Sequence, residues 1–181
     1  MIRTSQTHPL EIAPVEVAPG MGKIGVTLAP GKHDLNSAGG PWARDLATDL
    51  DAIVAWPASV LVTLIERHEF NLLGISKLGE EARRCGLEWL HLPIPDVSTP
   101  GRYFEAAWPA HSAALRGRLA AGDNIVVHCR GGLGRAGMIS ARLLVESGVD
   151  PDEAMVKVRK VRPHAIETRA QEQWVKTGPR S

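Results

Sequence analysis

A cysteine and an arginine flank a glycine-rich turn in residues 128–137, which read HCRGGLGRAG. Because glycine has no Cβ, backbone N–H groups can point inwards here and form an anion-binding nest. The helix expected to begin near Arg135 adds its positive end, and the guanidinium offers two parallel donors to phosphate oxygens. In that field Cys129 is expected to be a thiolate around neutral pH and a nucleophile toward phosphorus. The segment therefore predicts a phosphate loop made of Arg130, Gly131, Gly132, Leu133, Gly134 and Arg135.

Two other interpretations of this segment are weaker. A buried cysteine is often an inert small hydrophobe, and glycine-rich turns between a strand and a helix also bind nucleotides. A Walker loop requires Gly-Lys-Ser or Gly-Lys-Thr, which the sequence lacks, and a dinucleotide-binding loop requires no cysteine. The pattern His-Cys, five residues, then Arg at a strand end favours the phosphate nucleophile.

The secondary structure expected around this loop alternates strands with helices. Short β-branched runs bounded by Gly, Pro or Asp predict strands at 10–17, 24–28, 60–64, 87–92 and 124–128. Apolar spacing and capping signals predict helices over 42–54, 104–119 (with Pro109 kinking or splitting it), about 135–145, 151–162 and 168–174. This order predicts an α/β fold whose central, mostly parallel sheet is flanked by helices, with ligands at the carboxyl ends of the strands.

Length and composition suit one domain, which we place at 10–176 between loose ends at 1–9 and 177–181. The 21 Lys and Arg against 20 Asp and Glu give a net charge of +1, so no basic field indicates a nucleic-acid partner. Apolar stretches are shorter than the roughly 20 residues that span a bilayer, and the start lacks a signal pattern. Two cysteines cannot build a disulfide framework and indicate a reducing compartment, so we expect a cytoplasmic protein. We also expect a monomer that has no membrane partner.

The segment HCRGGLGRAG resembles the signature of cysteine-dependent protein tyrosine and dual-specificity phosphatases. It is most similar to the kinase-associated phosphatase (cyclin-dependent kinase inhibitor 3) family, whose loop also reads His-Cys-x-Gly-Gly-Leu-Gly-Arg. Segments at 28–32, 60–70, 85–101 and 162–175 follow in that family's order. The resemblance implies a tyrosine-phosphatase-like fold, a phosphocysteine intermediate, phosphoprotein substrates with a kinase as one candidate, and no metal or organic cofactor.

Asp96 is the candidate general acid, because the leaving oxygen of a phosphate ester needs a proton. It lies in a proline-rich loop, 93–100, directly after a predicted strand. The residues alone leave open a second interpretation, an aspartate of a turn or a helix start. The resemblance favours the acid, since the family carries its general-acid aspartate in this loop.

Two polar residues are candidates for supporting roles. His128 should point to the opposite face from Cys129 and brace the loop by hydrogen bonding, which is close to the alternative of a satisfied core histidine. Gln171 aligns, by the resemblance, with a glutamine that positions the hydrolytic water in some relatives. The alternative for Gln171 is a capping box with Thr168.

Other positions refine the expectation. Ala136 departs from the family pattern, which has Ser or Thr after the arginine to stabilise the departing thiolate, so slow hydrolysis of the intermediate is expected. Arg130 is expected to face outwards and favour acidic substrates, and Arg130 with Leu133, where phosphoinositide phosphatases have two lysines, argues against a basic lipid pocket. Cys85 is expected to be an inert buried cysteine rather than a resolving thiol. The histidines show no metal-binding spacing.

The sequence thus predicts a protein tyrosine or dual-specificity phosphatase acting on phosphoproteins. Two alternatives remain open: a pseudo-phosphatase module that only recognises phosphate, which Ala136 suggests, and a phosphatase of a non-protein phosphoester. Cysteine-loop sulfur or arsenate chemistry is a further class, but it would not need Asp96.

Overall fold

The computed structural model describes residues 1–179, and the last two positions of the expected loose C-terminus lie outside the described residues. The strands are β1 (Ala13–Glu16), β2 (Lys23–Thr27), β3 (His33–Asp34), β4 (Trp42–Ala43), β5 (Ala58–Thr63), β6 (Glu88–His91) and β7 (Asn124–His128). The helices are α1 (Leu46–Ala55), α2 (Arg67–Leu72), α3 (Leu78–Arg84), α4 (Arg102–Ala120), α5 (Gly134–Glu146), α6 (Pro151–Val161) and α7 (Arg169–Thr177).

The main sheet has the order β1-β2-β7-β5-β6, in which only β1 runs antiparallel to its neighbour. The predicted mostly parallel α/β sheet is therefore confirmed. The apolar run NIVVH forms its central strand, as a strand buried on both faces should. In the register, His128 lies beside Thr27 on one side and Thr63 on the other, so three strands end together just before Cys129.

Alternate residues of the strands pack into two hydrophobic clusters. Ile125 and Val127 of β7 belong to the larger cluster, which α4 to α7 complete, whereas Val126 belongs to the smaller one beneath α1 and α3. This alternation follows from the period of two along a strand. The two layers of helices hold β7 rigidly, and its carboxyl end is therefore a fixed platform for the loop that follows.

The boundaries of α6 agree with the capping signals, and other helices differ from the expectation. Helix α1, expected over 42–54, begins at Leu46, because Trp42 and Ala43 pair with β3 as strand β4. Asp150 caps α6 through its side chain, Pro151 opens that helix, and α6 ends at Val161 before Pro163. A kink or a split of the helix was possible at Pro109, and the split is wrong, because α4 runs without interruption from Arg102 to Ala120, a length of 19 residues. Helix α7 extends three residues beyond the predicted end, to Thr177.

The segment 29–41, expected as a loop, contains β3, which forms a short antiparallel ribbon with β4 directly after the segment. Residues 1–9, expected as a loose end, contact helix α1: Ser5 is buried and its hydroxyl donates to Asp49 over 2.8 Å. In the described part of the chain, none of the helices has the length and apolarity needed to cross a bilayer.

Candidate active site

The phosphate loop runs from the end of β7 to the start of α5 and is buried around Cys129, which is 3% exposed. Gly132 has a φ of +70°, and a Cβ there would lie 2.4 Å from the backbone carbon of Thr27. At Gly134 a Cβ would first meet a carboxylate oxygen of Glu167, the far end of a flexible side chain that can move aside. Glycine is therefore required at Gly132, as the sequence suggested for an inward-facing nest.

The backbone N–H groups of this loop are the expected anion donors. Within residues 1–179, the amides of 130–133 have no hydrogen-bond acceptor. Such amides gain a partner when an oxyanion enters. Arg130, Gly131, Leu133, Gly134 and Arg135 line the cavity together with Cys129, while Gly132 does not.

Arg135 is almost completely buried and is held by protein acceptors. Its Nη1 and Nη2 donate to the two carboxylate oxygens of Glu69 over 2.7 and 2.9 Å, and Nη1 also donates to the Ile94 carbonyl over 3.0 Å. Burial lowers the pKa of Arg135, but Glu69 and the Cys129 thiolate outweigh it and raise the pKa above its ordinary value. The Nε atom is buried and has no partner in the described chain, so one donor of the guanidinium is left for a ligand.

Glu69 was missed by the sequence reasoning. It lies in α2 and is 2% exposed. Burial works to raise the pKa of Glu69, yet the hydrogen bonds from Arg135 and the Glu66 amide lower it below the ordinary value. The only sequence signal was its place three residues after Glu66, which matches a capping box and does not point to the site.

Asp96 lies at the edge of the same cavity, and its carboxylate contacts Arg135 Nη2 over 2.9 Å. Its side chain is about half exposed, at 47%. The following residue, Val97, has a φ of +54°, a strained conformation for a β-branched residue. The loop thus places the carboxyl group beside Arg135 at the edge of the cavity, and the general-acid role of Asp96 stays a prediction.

His128 is buried behind the loop and makes two hydrogen bonds. One ring nitrogen, Nδ1, is 3.1 Å from the Cys129 carbonyl, and Nε2 is 2.7 Å from Thr63 Oγ1, which accepts from Trp89 Nε1 over 2.8 Å. Burial lowers the pKa of His128 to about 4, so the ring is neutral at physiological pH. The neutral tautomer that fits donates from Nδ1 to the carbonyl, which agrees with a bracing role.

Gln171 is fully buried next to the loop, but it does not line the cavity. Its Oε1 accepts from the Glu167 amide over 2.8 Å and its Nε2 donates to the Ser98 carbonyl over 3.2 Å. The Thr168 hydroxyl accepts from the Gln171 amide over 3.1 Å, which is one half of the alternative capping box. The side chain therefore ties the start of α7 to the loop that carries Asp96.

Arg130 is not free and facing outwards as expected. Its guanidinium donates to Asp34 over 3.0 Å from Nε and 2.9 Å from Nη2. Sequence reasoning missed Asp34 because β3 is brought to the loop only by the tertiary fold. The pair neutralises Arg130, so this residue alone does not make the rim basic.

The cavity has a volume of about 250 Å³. Besides the phosphate loop and Asp96, it is lined by residues that the sequence did not single out, namely Lys32, Asp34, Asn36, Ser37, Ala38, Val97 and Glu167. Lys32 is buried, and this burial lowers its pKa to about 8 although Asp34 and the Cys129 thiolate work to raise it. The four chain segments that enclose the cavity therefore supply both acidic and basic groups.

Other sequence expectations concern single residues. Ala136 is completely buried in the first turn of α5, immediately after Arg135. Cys85 is exposed at the end of α3, so the expectation of a buried cysteine there is wrong. Among residues 1–179 no group of three or more metal-ligating side chains is close enough together to hold a metal ion.

Comparisons with known proteins agree with this geometry. A family model described as the DSP-PTPase phosphatase of polymorphic toxin systems matches residues 38–149. A protein of Invertebrate iridescent virus 3 named as a tyrosine phosphatase, 067L, is 31% identical over 91 residues, which cover 48% of this chain and 38% of that protein. The match thus spans little more than a third of the viral protein's length.

Several solved structures share the fold. Kinase-associated phosphatase, with serine in place of its catalytic cysteine, superposes with a TM-score of 0.80 at 22% identity over 92% of each chain. The active form of Tk-PTP gives a TM-score of 0.66 at 28% identity, covering 89% of this chain and 92% of its own. A structure from Leishmania major named as a protein tyrosine phosphatase gives a TM-score of 0.67 at 22% identity, covering 94% of this chain and 98% of its own.

Proposed function

The chain belongs to the family described as the DSP-PTPase phosphatase of polymorphic toxin systems, and on that premise we propose that it hydrolyses phosphomonoesters on proteins through a phosphocysteine intermediate. Residues 10–176 act in this proposal as one phosphatase domain. No metal or organic cofactor takes part. The reaction belongs to the protein tyrosine and dual-specificity class.

The observation that carries the proposal is the group of three reactive side chains in one cavity. Cys129 and Asp96 both line the cavity with Arg135, whose buried Nε lacks a partner within the described chain. An orphaned buried donor is costly, and a phosphate oxygen satisfies it. The free amides of the loop supply the remaining donors to the non-bridging oxygens.

The chemistry proceeds in two steps. The Cys129 thiolate attacks phosphorus, the bond from phosphorus to the ester oxygen breaks, and Asp96 gives its proton to the leaving oxygen. Water then attacks the phosphocysteine, Asp96 takes a proton from it, and the thiolate departs. Inorganic phosphate and the dephosphorylated alcohol are the products, and both side chains return to their initial states.

The second step is the slower one in this proposal. Ala136 places a methyl group where the family has a hydroxyl, so the departing thiolate has only backbone donors and the helix end to stabilise it. Gln171 acts as a support in the proposal, since its amide already bonds Glu167 and the Ser98 carbonyl. His128 supports the loop from the other side through the Cys129 carbonyl.

We further propose that the protein acts as a cytoplasmic monomer on a phosphoprotein, with a phosphorylated kinase as one candidate substrate. Two observations support the compartment. Both cysteines are free, and one of them, Cys85, is exposed to solvent, where an oxidising compartment would readily modify it.

The test compares turnover of an aryl phosphate by the wild type, Cys129→Ser and Cys85→Ser. We expect no turnover by Cys129→Ser, although it still binds tungstate, because the amides and Arg135 remain. Cys85→Ser is the matched control and should retain wild-type turnover, since Cys85 is exposed at the end of α3.

Three outcomes would overturn the proposal or part of it. Turnover by Cys129→Ser at the wild-type rate removes Cys129 as the nucleophile. Tungstate binding by a wild type that has no turnover favours a phosphate-recognising module. Turnover of soluble phosphoesters together with none of a phosphopeptide library places the substrate outside proteins.

A further inference from the structure

The carbonyl groups of residues 129–133 all accept hydrogen bonds from donors outside this segment. The donors are His128 Nδ1 to Cys129, the Ala29 amide to Arg130, Arg162 Nη2 to Gly131, Arg162 Nε to Gly132, and the Ile166 amide to Leu133, over 3.1, 3.3, 3.1, 2.9 and 3.3 Å. Two consecutive carbonyls thus depend on one side chain, that of Arg162.

Peptide geometry links these carbonyls to the donors of the site. In a trans peptide the C=O and N–H groups point in opposite directions. Fixing the Gly131 carbonyl therefore fixes the N–H of Gly132, and fixing the Gly132 carbonyl fixes the N–H of Leu133. Both amides lack an acceptor in the described chain, and of the two residues Leu133 lines the cavity, so its N–H is available to an oxyanion there.

Arg162 is well placed to hold the two peptides. It caps the end of α6, and its side chain is only 15% exposed. Its planar fork matches two acceptors at once, which a lysine cannot do. The nearest carboxylate, Glu11, is 3.7 Å away and mostly exposed, so it competes weakly for the guanidinium.

The segment after Arg162 is strained. His164 and Ile166 have φ values of +68° and +62°, a region that β-branched residues avoid. Arg159 holds this segment through the carbonyls of Ala165 and Ile166, each over 2.9 Å. Strained conformations persist where the surrounding contacts fix them, and they concentrate at functional sites.

We propose that Arg162 is a positioning residue for phosphate, which orients the N–H groups of Gly132 and Leu133 by binding the carbonyls of Gly131 and Gly132. It does not touch the substrate. The inference rests on the proposed function, because it concerns phosphate binding by this loop.

The test measures the tungstate dissociation constant by calorimetry for the wild type, Arg162→Met and Arg162→Lys. Removing one oxyanion-hole donor lowers kcat by a factor of about 10²–10³ in other enzymes. Because Arg162→Met keeps both amides and only loosens them, we expect about tenfold weaker binding. Arg162→Lys should fall between the two, since an ammonium keeps the charge but not the fork.

Arg159→Met is the matched control, because it removes an arginine of the same helix that also binds carbonyls. We expect a lower thermal midpoint for this variant and tungstate affinity close to that of the wild type. The midpoints of all variants separate a general loss of stability from a loss of phosphate affinity. Should Arg162→Met not fold, Arg162→Lys carries the test.

The outcomes distinguish the inference from the proposed function. A wild type that does not bind tungstate removes the proposed function. Wild-type binding with equal affinity in both Arg162 variants overturns the positioning role. If Arg162→Lys binds tungstate as tightly as the wild type and only Arg162→Met binds more weakly, the effect comes from charge. This result also overturns the positioning role. If Arg159→Met loses as much tungstate affinity as Arg162→Met, the effect belongs to the whole segment around these residues and not to Arg162 itself.

Discussion

Replacing Asp96 by alanine should increase the affinity of the cavity for an inert oxyanion while turnover falls. The carboxylate lies 2.9 Å from Arg135 Nη2, and Glu69 holds Nη1 and Nη2 while Nε has no partner in residues 1–179. An anion that binds the guanidinium through Nε and Nη2 must therefore displace Asp96. Alanine removes this competitor and the repulsion between two negative groups.

The magnitude follows from the exposure of the pair. Because the Asp96 side chain is 47% exposed, its ion pair with Arg135 is screened, and exposed pairs contribute about 0.2–1 kcal/mol. Losing a competitor of roughly 1 kcal/mol strengthens binding by about fivefold, since about 1.4 kcal/mol corresponds to a factor of ten. The gain should shrink as salt is added, because the pair is open to solvent.

The assay is calorimetric titration of tungstate into the wild type, Asp96→Ala and Asp96→Asn. Tungstate needs no proton donor, so its binding isolates the competition from the chemistry. Asparagine keeps an oxygen near Arg135 without the charge and should give an intermediate affinity. Turnover should fall by about 10²–10⁴-fold for poor leaving groups and less for an activated nitrophenol. Unchanged or weaker tungstate binding by Asp96→Ala would refute the competition.

The remaining predictions concern stability and the second chemical step. Glu69→Ala should lower the free energy of unfolding by about 3–5 kcal/mol in urea titrations, because it leaves the charge of Arg135 buried without its main partner. A loss below about 1 kcal/mol, which is the contribution of an exposed pair, would show that the pair is not a buried one. The pKa of His128 is lowered from 6.5 to about 4, so below pH 6.5 the unfolded chain binds a proton that the folded chain excludes. Stability should therefore fall between pH 6.5 and 4, by up to about 1.4 kcal/mol per pH unit, and His128→Asn should remove this part of the slope in pH-dependent unfolding. Ala136→Ser should speed phosphocysteine hydrolysis by roughly tenfold to a hundredfold, because a hydrogen bond to a charged group contributes about 1.5–3 kcal/mol. The assay follows the burst of product, which should appear in the wild type and shrink in the variant. If the wild type shows no burst and the variant causes no change, another donor already serves the Cys129 sulfur.

The sequence predicted the phosphate loop and its supports because the information is local. A buried run, a cysteine, glycines and a helix start are adjacent in the chain, and the structure places them as β7, the loop and α5. Asp96 needed the resemblance as well, since the residues alone left a turn aspartate equally open. In the structure its carboxylate contacts Arg135 at the edge of the cavity, and its role as the acid stays a prediction.

The partners of the two arginines in the loop could not be predicted from local patterns. Glu69 is 66 positions from Arg135 in the chain, and Asp34 is 96 positions from Arg130. Glu69 stands in a capping box that does not point to the site, and Asp34 stands in no recognisable motif. Each is brought to the loop only when β3 and α2 pack beside it. The same holds for Pro109, where tertiary packing overrides a local rule: Phe104, Trp108 and Leu115 are buried on both sides of it and hold α4 continuous.

These pairings change how the site attracts a dianion. The charge of Arg135 is matched by Glu69, and that of Arg130 is matched by Asp34. A phosphate group therefore meets two arginines whose charges are already balanced, so the net attraction must come from other groups. Peptide dipoles and the start of α5 supply part of it, because their positive ends lie at the loop.

The rest comes from two cations that contact the loop carbonyls, Lys32, which also lines the cavity, and Arg162. Lys32 Nζ lies 3.4 Å from the Arg130 carbonyl, and Arg162 binds the next two carbonyls. Each cation polarises a peptide whose N–H is left free, so positive charge reaches the ligand through the backbone and does not depend on the paired arginines. Because burial lowers the pKa of Lys32 to about 8, this lysine gives up its charge as the pH rises through that value while Arg162 keeps its own. Oxyanion affinity should therefore weaken on the alkaline side of pH 8 and yet persist, carried there by Arg162, the amides and the helix end.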